Sequence, residues 1–429
     1  MSVGAFFLIF FIMLFCAVPI AVSMGGIALL PSLIDPAARF TSDALIRSLV
    51  SGLDSFTLLA IPLFMFSGNV MVRGRLSNKL FDIMAYFIGN KRGGYPCAVV
   101  LTCLFFGAIS GSGAATVAAV GAMSIPLLIE LGYDRGFAAS IVTVSGGLGV
   151  IIPPSVLFVA YASYTDASVS DLFIAGVIPG ILIALCLMVY IWFYCKRNGE
   201  DRERLTDNFH ALRERGLWTL FKDGFWALLT PVIILGSIYS GITTPTEAAG
   251  ISVVYSFIVC IFIYRTITIK DIPGLLKETV QTYAPLLFIL MCATAFSRVM
   301  TLMRIPQLLS GAFLSTFSNP IVVKILLLLI LLLIGCIFDG IPAIVIFTPL
   351  LLPIAESVSM DIVHFGIIMT VVLAIGQVTP PMGVNLFVGS RIGDVPVLTL
   401  AKKCIPLLLA FLAATLLILF IPQISLCLV

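Results

Sequence analysis

The chain has 429 residues, of which 60% are hydrophobic and only 10% are charged. Soluble domains carry about 25% charged residues, so this chain lacks the polar surface that water requires. The composition excludes a soluble enzyme and predicts an all-α polytopic protein whose solvent is a lipid bilayer. The net charge of +3 says little about partners, and no nucleic-acid partner is expected.

Uncharged runs recur along the chain, and roughly ten bilayer-spanning elements of about 20 residues fit its length. The N-terminal run has neither a basic segment nor a small-residue cleavage site, so it is not a signal peptide. It is short for two full spans. Either it is a tight hairpin broken near Pro19 or the repeat described below is incomplete there. The clearest uncharged runs are 3–33, 172–195, 225–242, 248–264 and 404–422.

The basic residues are clustered, and the positive-inside rule places the loops that hold them in the cytoplasm. The only long charged segment is 196–224. We interpret it as a solvated cytoplasmic connector, rather than a regulatory site, between a first half, 1–195, and a second half, 225–429. The segments 163–171 and 243–247 lack basic residues and are predicted to be external. The clusters are Arg73, Arg75, Lys79, Lys91 and Arg92; Arg265, Lys270 and Lys277; and Arg391, Lys402 and Lys403.

The two halves share glycine and proline positions at a constant offset of 227 residues (340 minus 113, 376 minus 149). Because Gly and Pro set backbone geometry, this coincidence indicates one backbone plan used twice. The side chains between these positions diverge. The matching pairs are Gly113 and Gly340, Pro126 and Pro353, Gly149 and Gly376, Pro153 and Pro380, and Pro154 and Pro381.

The distribution of charge predicts that the two repeats are inverted. A re-entrant helical hairpin is expected at about 93–131, where flanking basic residues make it open to the cytoplasm. The matching hairpin at about 320–356 has basic-poor flanks and is expected to open outside. A broken helix follows each hairpin, at about 137–162 and about 362–390. Two homologous halves of opposite topology are typical of alternating-access transporters.

The first candidate site is the segment 107–116, where three Gly and two Ser fall within seven residues. Such a composition breaks a helix, and broken helices persist in lipid only when they pack against protein or line a cavity. We expect two half-length helices that meet at a tip, the second starting near Gly113. Its N–H groups and positive dipole end would then face an anion at the tip. The alternative is close helix packing through small residues.

The matching segment of the second repeat contains Asp339, the only acid between residues 321 and 355. A charge this deep in a membrane is costly and usually functional. Because Gly340 and Pro342 break the helix beside it, Asp339 is predicted to bind Na⁺. Its alternative role is to cap the half-helix that follows, and the two roles are compatible.

The predicted broken helices contain the tandem prolines, within 146–155 and 376–385. Tandem proline removes two backbone donors and leaves two carbonyl groups free. Together with Ser155, Thr379 and Asn385, these carbonyls offer oxygen ligands for Na⁺ and hydrogen bonds for a polar solute. A proline kink without a site is the alternative, and the repetition of the dipeptide in both halves argues against it.

Two other functional classes stay open. An intramembrane serine enzyme needs a base near Ser110 or Ser112, and the chain has only His210 and His364. A passive channel or structural subunit would show no sodium dependence. No GxxxxGK[ST] motif is present, so ATP-driven pumping is not expected. Arg298 lies inside an apolar run, where it either contacts substrate or snorkels or forms an ion pair.

Taken together, these motifs resemble those of the large permease subunit of the tripartite ATP-independent periplasmic (TRAP) transporters, the sialic acid type among them. The likeness covers nearly the whole chain, and it rests on the set of motifs because any one alone is unspecific. The matching segments are 54–64, 107–116, 149–155, 244–250 and 376–385.

The resemblance implies a sodium-driven elevator of the bacterial inner membrane, in which hairpins and broken helices slide against a scaffold. It implies two partners, a small four-helix membrane subunit and a soluble periplasmic substrate-binding protein. A separate small-subunit chain is expected, because the first half starts almost at Met1. Family substrates are organic anions, and a hydroxyl-lined tip without Arg fits sialic acid slightly better than a C4-dicarboxylate. No cofactor is expected, and Na⁺ is the coupling ion, with two or more ions per cycle.

Carried over by position, the resemblance implies one half-site for ion and substrate in each repeat, with the substrate carboxylate between the two tips. The residues implied for the substrate are Ser110, Ser112, Ser155 and Asn385. Those implied for Na⁺ are Ser110, Gly111, Ser112, Gly149, Pro153, Asp339, Gly340, Gly376, Thr379 and Met382.

Overall fold

The first half of the chain is helical throughout its regular structure. The computed structural model describes residues 3–34, 42–317 and 319–429, and every regular element within them is a helix, which confirms the predicted all-α class. The helices of this half are α1 (Val3–Phe15), α2 (Ile20–Ile34), α3 (Ser42–Ser51), α4 (Ala60–Arg73), α5 (Leu76–Ile88), α6 (Gly94–Ser110), α7 (Gly113–Glu130), α8 (Arg135–Ser145), α9 (Val156–Ala162) and α10 (Val169–Asn198).

The charged connector and the second half form a further eleven helices among the described residues. The connector itself contains one helix, α11, and its last residues begin α12. These helices are α11 (Arg202–Glu214), α12 (Leu217–Tyr239), α13 (Pro245–Phe257), α14 (Ile272–Leu302), α15 (Ile305–Thr316), α16 (Pro320–Ile337), α17 (Gly340–Ser357), α18 (Ile362–Gly376), α19 (Val384–Gly393), α20 (Val397–Phe420) and α21 (Gln423–Leu426).

The spanning elements are fewer than the ten expected from length. Eight of the described helical segments are long and apolar enough to cross a membrane, and the bent pair of α4 and α5 makes up to nine. That pair bends by 71° where Arg75 adopts a left-handed conformation. Four apolar helices, α1, α2, α6 and α18, are shorter than 18 residues. Backbone breaks therefore convert several expected spans into half-length elements.

The N-terminal run is a tight hairpin. Helix α1 ends at Phe15 and α2 begins at Ile20, directly after Pro19, and the two helices contact each other. Ala17 adopts a left-handed conformation in the turn between them. Of the two alternatives raised by the sequence, the structure agrees with a hairpin broken near Pro19.

The offset of 227 residues recurs in the backbone itself. Helix α7 runs from Gly113 to Glu130 and α17 from Gly340 to Ser357, so both ends match at that offset. Both tandem prolines contain a cis peptide bond. The outer elements differ, because α14 is continuous whereas the corresponding part of the first repeat is divided between α3 and α4. The two repeats are therefore most alike around the hairpins.

The helices form two groups, which we call the inner bundle and the outer helices. The inner bundle consists of the two hairpins (α6 with α7, α16 with α17), the broken helices (α8 with α9, α18 with α19), and α10 and α20, which pack on them. The outer helices are α1–α5 and α12–α15, in which α14 packs on α2, α3 and α4. The two groups meet along α6, which contacts α4 and α5, and along α17, which contacts α14 and α15. This boundary positions the candidate site.

The connector is tied to the open end of the first hairpin, where α6 begins. The buried Glu200 carboxylate accepts a hydrogen bond from the Gly93 backbone N–H (2.8 Å) and another from the Tyr133 hydroxyl (2.6 Å). Burial, followed by the hydrogen bond to Glu200, raises the pKa of Tyr133 far above its ordinary value, so its hydroxyl stays a donor. Farther along, Arg215 forms an ion pair of 2.7 Å with Asp82 of α5. The connector therefore joins the inner bundle to an outer helix.

Candidate functional site

The first hairpin tip is a break of two residues between α6 and α7. Gly111 adopts a left-handed conformation (φ 62°), and a Cβ added to it would lie 2.6 Å from the Pro154 carbonyl oxygen, so only Gly fits. Ser112 is the N-cap of α7, with its hydroxyl 3.5 Å from the Ala115 N–H. As the sequence predicts, the second half-helix begins at Gly113, and its free N–H groups face the tip.

Behind this tip lies a small group of oxygen atoms. Ser110 is buried, and its Oγ lies 3.0 Å from the Thr116 Oγ1, which itself donates to the Ser112 carbonyl oxygen at 2.8 Å. The Gly149 backbone packs directly on this group, since a Cβ there would lie 2.7 Å from the same carbonyl oxygen. Neutral oxygens of unwound helices are ligands that Na⁺ sites in transporters use, so the residues fit this ion. Thr116 belongs to the group, although sequence reasoning did not assign it a role.

The second tip is also a break of two residues between half-helices, but it contains a carboxylate and its first residue is extended and not left-handed. Phe338 and Asp339 are extended, and Asp339 is the N-cap of α17, but its carboxylate makes no capping hydrogen bond. Asp339 therefore occupies the N-cap position that the capping alternative predicted, but its side chain does not make the predicted capping hydrogen bond. Nearby, the Met382 N–H donates to the Cys336 carbonyl oxygen at 3.2 Å, which ties the unwound part of the second broken helix to α16.

Glycines hold the second broken helix against its hairpin. A Cβ on Gly376 would lie 2.5 Å from the Gly335 Cα, so the two backbones touch. The Thr379 Oγ1 donates to the Ile375 carbonyl oxygen at 2.9 Å, which leaves its lone pairs as acceptors. Met382 is 50% exposed.

Ser155 lies away from the expected substrate position. It is completely buried and is the N-cap of α9, where its hydroxyl donates to the Val150 carbonyl oxygen and accepts from the Phe158 N–H (3.4 Å). The hydroxyl therefore donates one hydrogen bond and accepts another within the backbone turn. The arrangement therefore gives Ser155 a structural role in place of the substrate contact inferred from the sequence.

A cavity of about 310 Å³ lies between the two tips. The first tip contributes Gly111 and Ser112, and the second contributes Asp339. Gln377 and Asn385 line it from the second broken helix. The outer helices close it with Met65 of α4 and with Thr282 and Leu286 of α14. We call this space the central cavity.

Two amides in the central cavity have polar atoms without partners. Asn385 is completely buried, and among the described residues neither its Oδ1 nor its Nδ2 has a hydrogen-bond partner. The buried Oε1 of Gln377 has none there either. A Cβ on Gly113 would lie 2.6 Å from the Gln377 Oε1 and 2.9 Å from the Asn385 Nδ2, so both amides lie at the start of α7. Buried polar atoms are normally paired, so these point to a polar ligand. Sequence reasoning missed Gln377, although its place in the unwound segment between Gly376 and the prolines could have indicated it.

The residues inferred from the sequence fall into three places. Gly111, Ser112, Asp339 and Asn385 line the central cavity. Ser110, Gly149, Pro153 and Ser155 are buried behind the first tip. Gly340, Gly376, Thr379 and Met382 lie around the second tip.

Comparison with known proteins decides the family. The sequence matches the family described as tripartite ATP-independent periplasmic transporter, DctM component, over residues 7–424. The chain is a member of the DctM family. This membership confirms the resemblance found in the motifs, and with the apolar helices it identifies a multi-pass protein of the bacterial inner membrane.

Curated relatives match most of this chain at moderate identity. The isethionate TRAP transporter permease protein DctMQ of Oleidesulfovibrio alaskensis is 40% identical over 418 residues, which make up 97% of this chain and 64% of that protein. The C4-dicarboxylate TRAP transporter large permease protein DctM of Pseudomonas aeruginosa is 38% identical over 87% of this chain and 86% of its own. The sialic acid TRAP transporter large permease protein SiaM of Vibrio cholerae is 34% identical over 96% and 95%. The chain thus spans less than two thirds of the first relative and most of the other two.

Two solved structures share the fold. MtrF of Neisseria gonorrhoeae, described within a class of antimetabolite efflux pumps, has a TM-score of 0.61 at 14% identity and covers 94% of each chain. YdaH of Alcanivorax borkumensis has a TM-score of 0.60 at 15% identity, covering 93% of this chain and 97% of its own. At such identity the likeness shows the fold alone.

The enzyme alternative finds no support in this family or in the site. The relatives are named as transporter permeases. The Ser110 hydroxyl contacts Thr116, while the His364 Nδ1 lies 2.6 Å from the Ser425 Oγ. Within the described ranges, no three His, Cys, Asp or Glu side chains form a group that could hold a metal ion. The chain belongs to a transporter family and not to a family of enzymes.

Proposed function

We propose that the chain is the membrane permease of a sodium-coupled system that takes up an organic anion. The observation that supports this best is the central cavity, where the buried Asn385 amide and the buried Gln377 Oε1 have no hydrogen-bond partner among the described residues and lie between two helix N-termini. The N-termini of α7 and α17 both start at this cavity, and such termini attract anions through free N–H groups and the helix dipole. The Asn385 and Gln377 amides supply donors and acceptors for the rest of the solute.

The charge of Asp339 gives a reason for sodium coupling. Its carboxylate lines the same cavity as the proposed anion site, and two negative charges in a low-dielectric site repel each other strongly. A Na⁺ ion beside Asp339 removes that repulsion, so anion and cation bind better together than alone. The oxygen group around Ser110 and Thr116 is the proposed second Na⁺ site, which agrees with two ions or more per cycle.

The names of the relatives support an organic anion as the substrate class. Which organic anion is transported is part of the proposal. Their names specify isethionate, C4-dicarboxylates and sialic acid, which are all organic anions. Ser112 and Thr282 bring hydroxyls to the central cavity beside the two amides, which suits a hydroxylated acid such as sialic acid. We propose sialic acid as the first candidate and a C4-dicarboxylate as the second.

The proposed assembly has three components. A small four-helix membrane subunit would pack on the outer helices, and a periplasmic binding protein would deliver the anion. The name DctMQ of the isethionate relative, of which this chain spans 64%, supports a partner of the small-subunit kind. In the proposed elevator mechanism the inner bundle moves against the outer helices and carries the central cavity across the membrane.

The experiment that tests this function is uptake into proteoliposomes that contain the chain with its small subunit and binding protein. Ligand screening of the binding protein by thermal shift selects the anion to be labelled. We expect uptake by the wild-type chain only with an inward Na⁺ gradient, and at least about a 100-fold loss, or roughly 2.7 kcal/mol, in Asp339→Asn.

The control variant is Asp166→Asn, which removes a carboxylate from an exposed loop outside the cavity and is expected to transport normally. Equal uptake with and without the Na⁺ gradient would identify a passive channel. Normal sodium-driven uptake by Asp339→Asn would exclude the role assigned to this carboxylate.

A further inference from the structure

A second cavity, of about 540 Å³, lies against the far end of α14. It is bounded by α3, by the segment 52–58 that precedes α4, and by Ser163 and Tyr164 at the end of α9. From α14 it receives four polar side chains, those of Thr294, Ser297, Arg298 and Thr301. We call it the vestibule. None of the predicted substrate or sodium residues lines it.

The positions of three chain segments place the vestibule on the periplasmic side. Helix α4 ends at Arg73 in the cytoplasmic basic cluster, so the segment that precedes its start lies toward the outside. Helix α14 follows the basic Lys270, so its last two turns lie at the opposite face. The chain beyond α9 enters the basic-free loop 163–171, which the same rule places outside.

The vestibule contains one positive charge without a matching negative charge. Arg298 is exposed in it, and among the described residues that line it there is no Asp or Glu, since Asp54 of the bounding segment is not part of the lining. No ion pair or hydrogen bond to Arg298 exists within the described part of the chain. Most of the lining hydroxyls donate to carbonyl oxygens of their own helix, as Ser163 does to Val159 (2.8 Å) and Thr301 to Ser297 (3.0 Å). They cannot donate to a ligand at the same time. The Arg298 guanidinium is therefore the main donor, and its planar set of N–H groups matches a carboxylate or sulfonate.

The vestibule and the central cavity lie along the same helix. Leu286 lines the central cavity and Thr294 lines the vestibule, so about 12 Å of α14 separates them at 1.5 Å per residue. Tyr164 lies between them, because its hydroxyl is 3.1 Å from both the Leu290 carbonyl oxygen and the Thr294 Oγ1. Tyr164 belongs to the inner bundle and Thr294 to an outer helix. This contact forms the floor of the vestibule.

We propose that the vestibule is a separate binding site, in which Arg298 holds the organic anion before it reaches the central cavity. The inference rests on the proposed uptake of an organic anion. Arg298 attracts the anion into a pocket open to the periplasm, and the Tyr164–Thr294 contact keeps it there until the inner bundle moves. Because the walls come from both groups of helices, the site exists in full only in the arrangement described here.

The first test is the dependence of uptake on anion concentration in the reconstituted three-component system. We expect Arg298→Gln to raise the half-saturating concentration about five- to tenfold, the effect of one charge-assisted contact, with an unchanged maximal rate and sodium dependence. Arg298→Lys keeps the charge and is expected to recover part of the loss. The matched control is Arg47→Gln on α3, an exposed arginine that does not line the vestibule. If Arg298→Gln and Arg47→Gln behave alike, the vestibule site is overturned.

A second test measures binding without transport. The purified permease, without its binding protein, is heated in Na⁺-free buffer with and without the same anion in unlabelled form. The shift in Tm caused by the anion is recorded. We expect protection of the wild-type chain and of Asn385→Ala, and its loss in Arg298→Gln. This result can hold even if sodium-driven uptake is absent, which separates a failure of the proposed function from a failure of the vestibule site.

Two outcomes would overturn the proposal in a specific way. Anion protection that survives in Arg298→Gln, combined with a weaker dependence on binding-protein concentration in uptake, would assign Arg298 to docking of that partner. Protection by an anionic phospholipid and not by the soluble anion would assign the vestibule to a lipid headgroup.

Discussion

The two hairpin tips differ in charge at one pair of equivalent positions, Ser112 in the first repeat and Asp339 in the second. Each is the N-cap of a half-helix that begins with glycine, and each lines the central cavity. Ser112 is neutral, whereas Asp339 adds a negative charge that no capping hydrogen bond occupies. Both helix N-termini can attract an anion, but only the second tip offers a charged ligand to the proposed cation. The half-helices therefore match between the repeats, whereas the side chains at the tips differ in charge.

The largest effect on uptake is expected when the charged residue of the second tip is replaced by its neutral counterpart from the first. Asp339→Ser replaces the carboxylate by the residue at the equivalent position of the first repeat. We expect sodium-driven uptake to fall at least about 100-fold, because Na⁺ loses its charged ligand. Uptake under an imposed Na⁺ gradient is the measurement, and Ser112→Ala, which stays neutral, is the comparison. Sodium-driven uptake at the wild-type level would show that the charge difference between the tips has no role in coupling.

The next effect concerns the contact of each broken helix with its hairpin. In Gly376→Ala the new methyl group would lie 2.5 Å from the Gly335 Cα, and the backbone has to shift. We expect a loss of stability of roughly 2–4 kcal/mol, seen as a lower Tm of the purified protein. Gly236→Ala in α12 is the matched control, since no atom lies within 4 Å of the added Cβ. Equal Tm values for the two variants would contradict the close approach.

The first residue of each second half-helix offers a finer comparison. A Cβ on Gly113 would lie 2.6 Å from the Gln377 Oε1, whereas one on Gly340 would meet the flexible end of Leu157 at 2.8 Å. We expect Gly113→Ala to raise the half-saturating anion concentration about tenfold and Gly340→Ala less than about threefold, because a leucine methyl can rotate away without consequence, whereas the Gln377 and Asn385 amides have to leave the positions at which they face the cavity. Titration of uptake measures both. The reverse order would mean that Gln377 and Asn385 do not contact the anion.

The smallest effect tests the residue that the sequence misplaced. Ser155 is buried at a helix N-cap, while Met382 at the equivalent position of the second repeat is 50% exposed. We expect Ser155→Ala to lower stability by about 1–2 kcal/mol and to leave the half-saturating anion concentration unchanged. Paired Tm and uptake measurements separate the two effects. A raised half-saturating concentration at normal Tm would restore the substrate contact inferred from the sequence.

The features that sequence predicted well are those that glycine and proline determine. The break at Gly111, the start of α7 at Gly113 and the start of α17 at Gly340 follow from backbone preferences that can be seen in the letters. Side-chain direction depends on packing between distant segments, which a single sequence does not contain. Ser155 and Gln377 show this, because each lies in a recognised motif, yet only the fold turns the first into the backbone and the second into the central cavity.

The bend of α4 and α5 was also beyond sequence reasoning. Helix α4 ends at Arg73, and the left-handed Arg75 precedes α5, while the second repeat shows the same left-handed arginine, Arg304, between α14 and α15. Arginine has no special preference for this conformation. The letters alone therefore did not indicate either bend.

The connector sets a mechanical limit on any motion of the inner bundle. One end is fastened to the start of α6 through Glu200 and the Gly93 N–H, and the other to α5 through the Arg215–Asp82 pair. A displacement of the hairpin relative to α5 has to stretch the connector, rotate α11 with it, or release the Arg215–Asp82 pair. In the proposed elevator motion, the segment that divides the two halves would therefore also limit how far the first hairpin can move relative to α5.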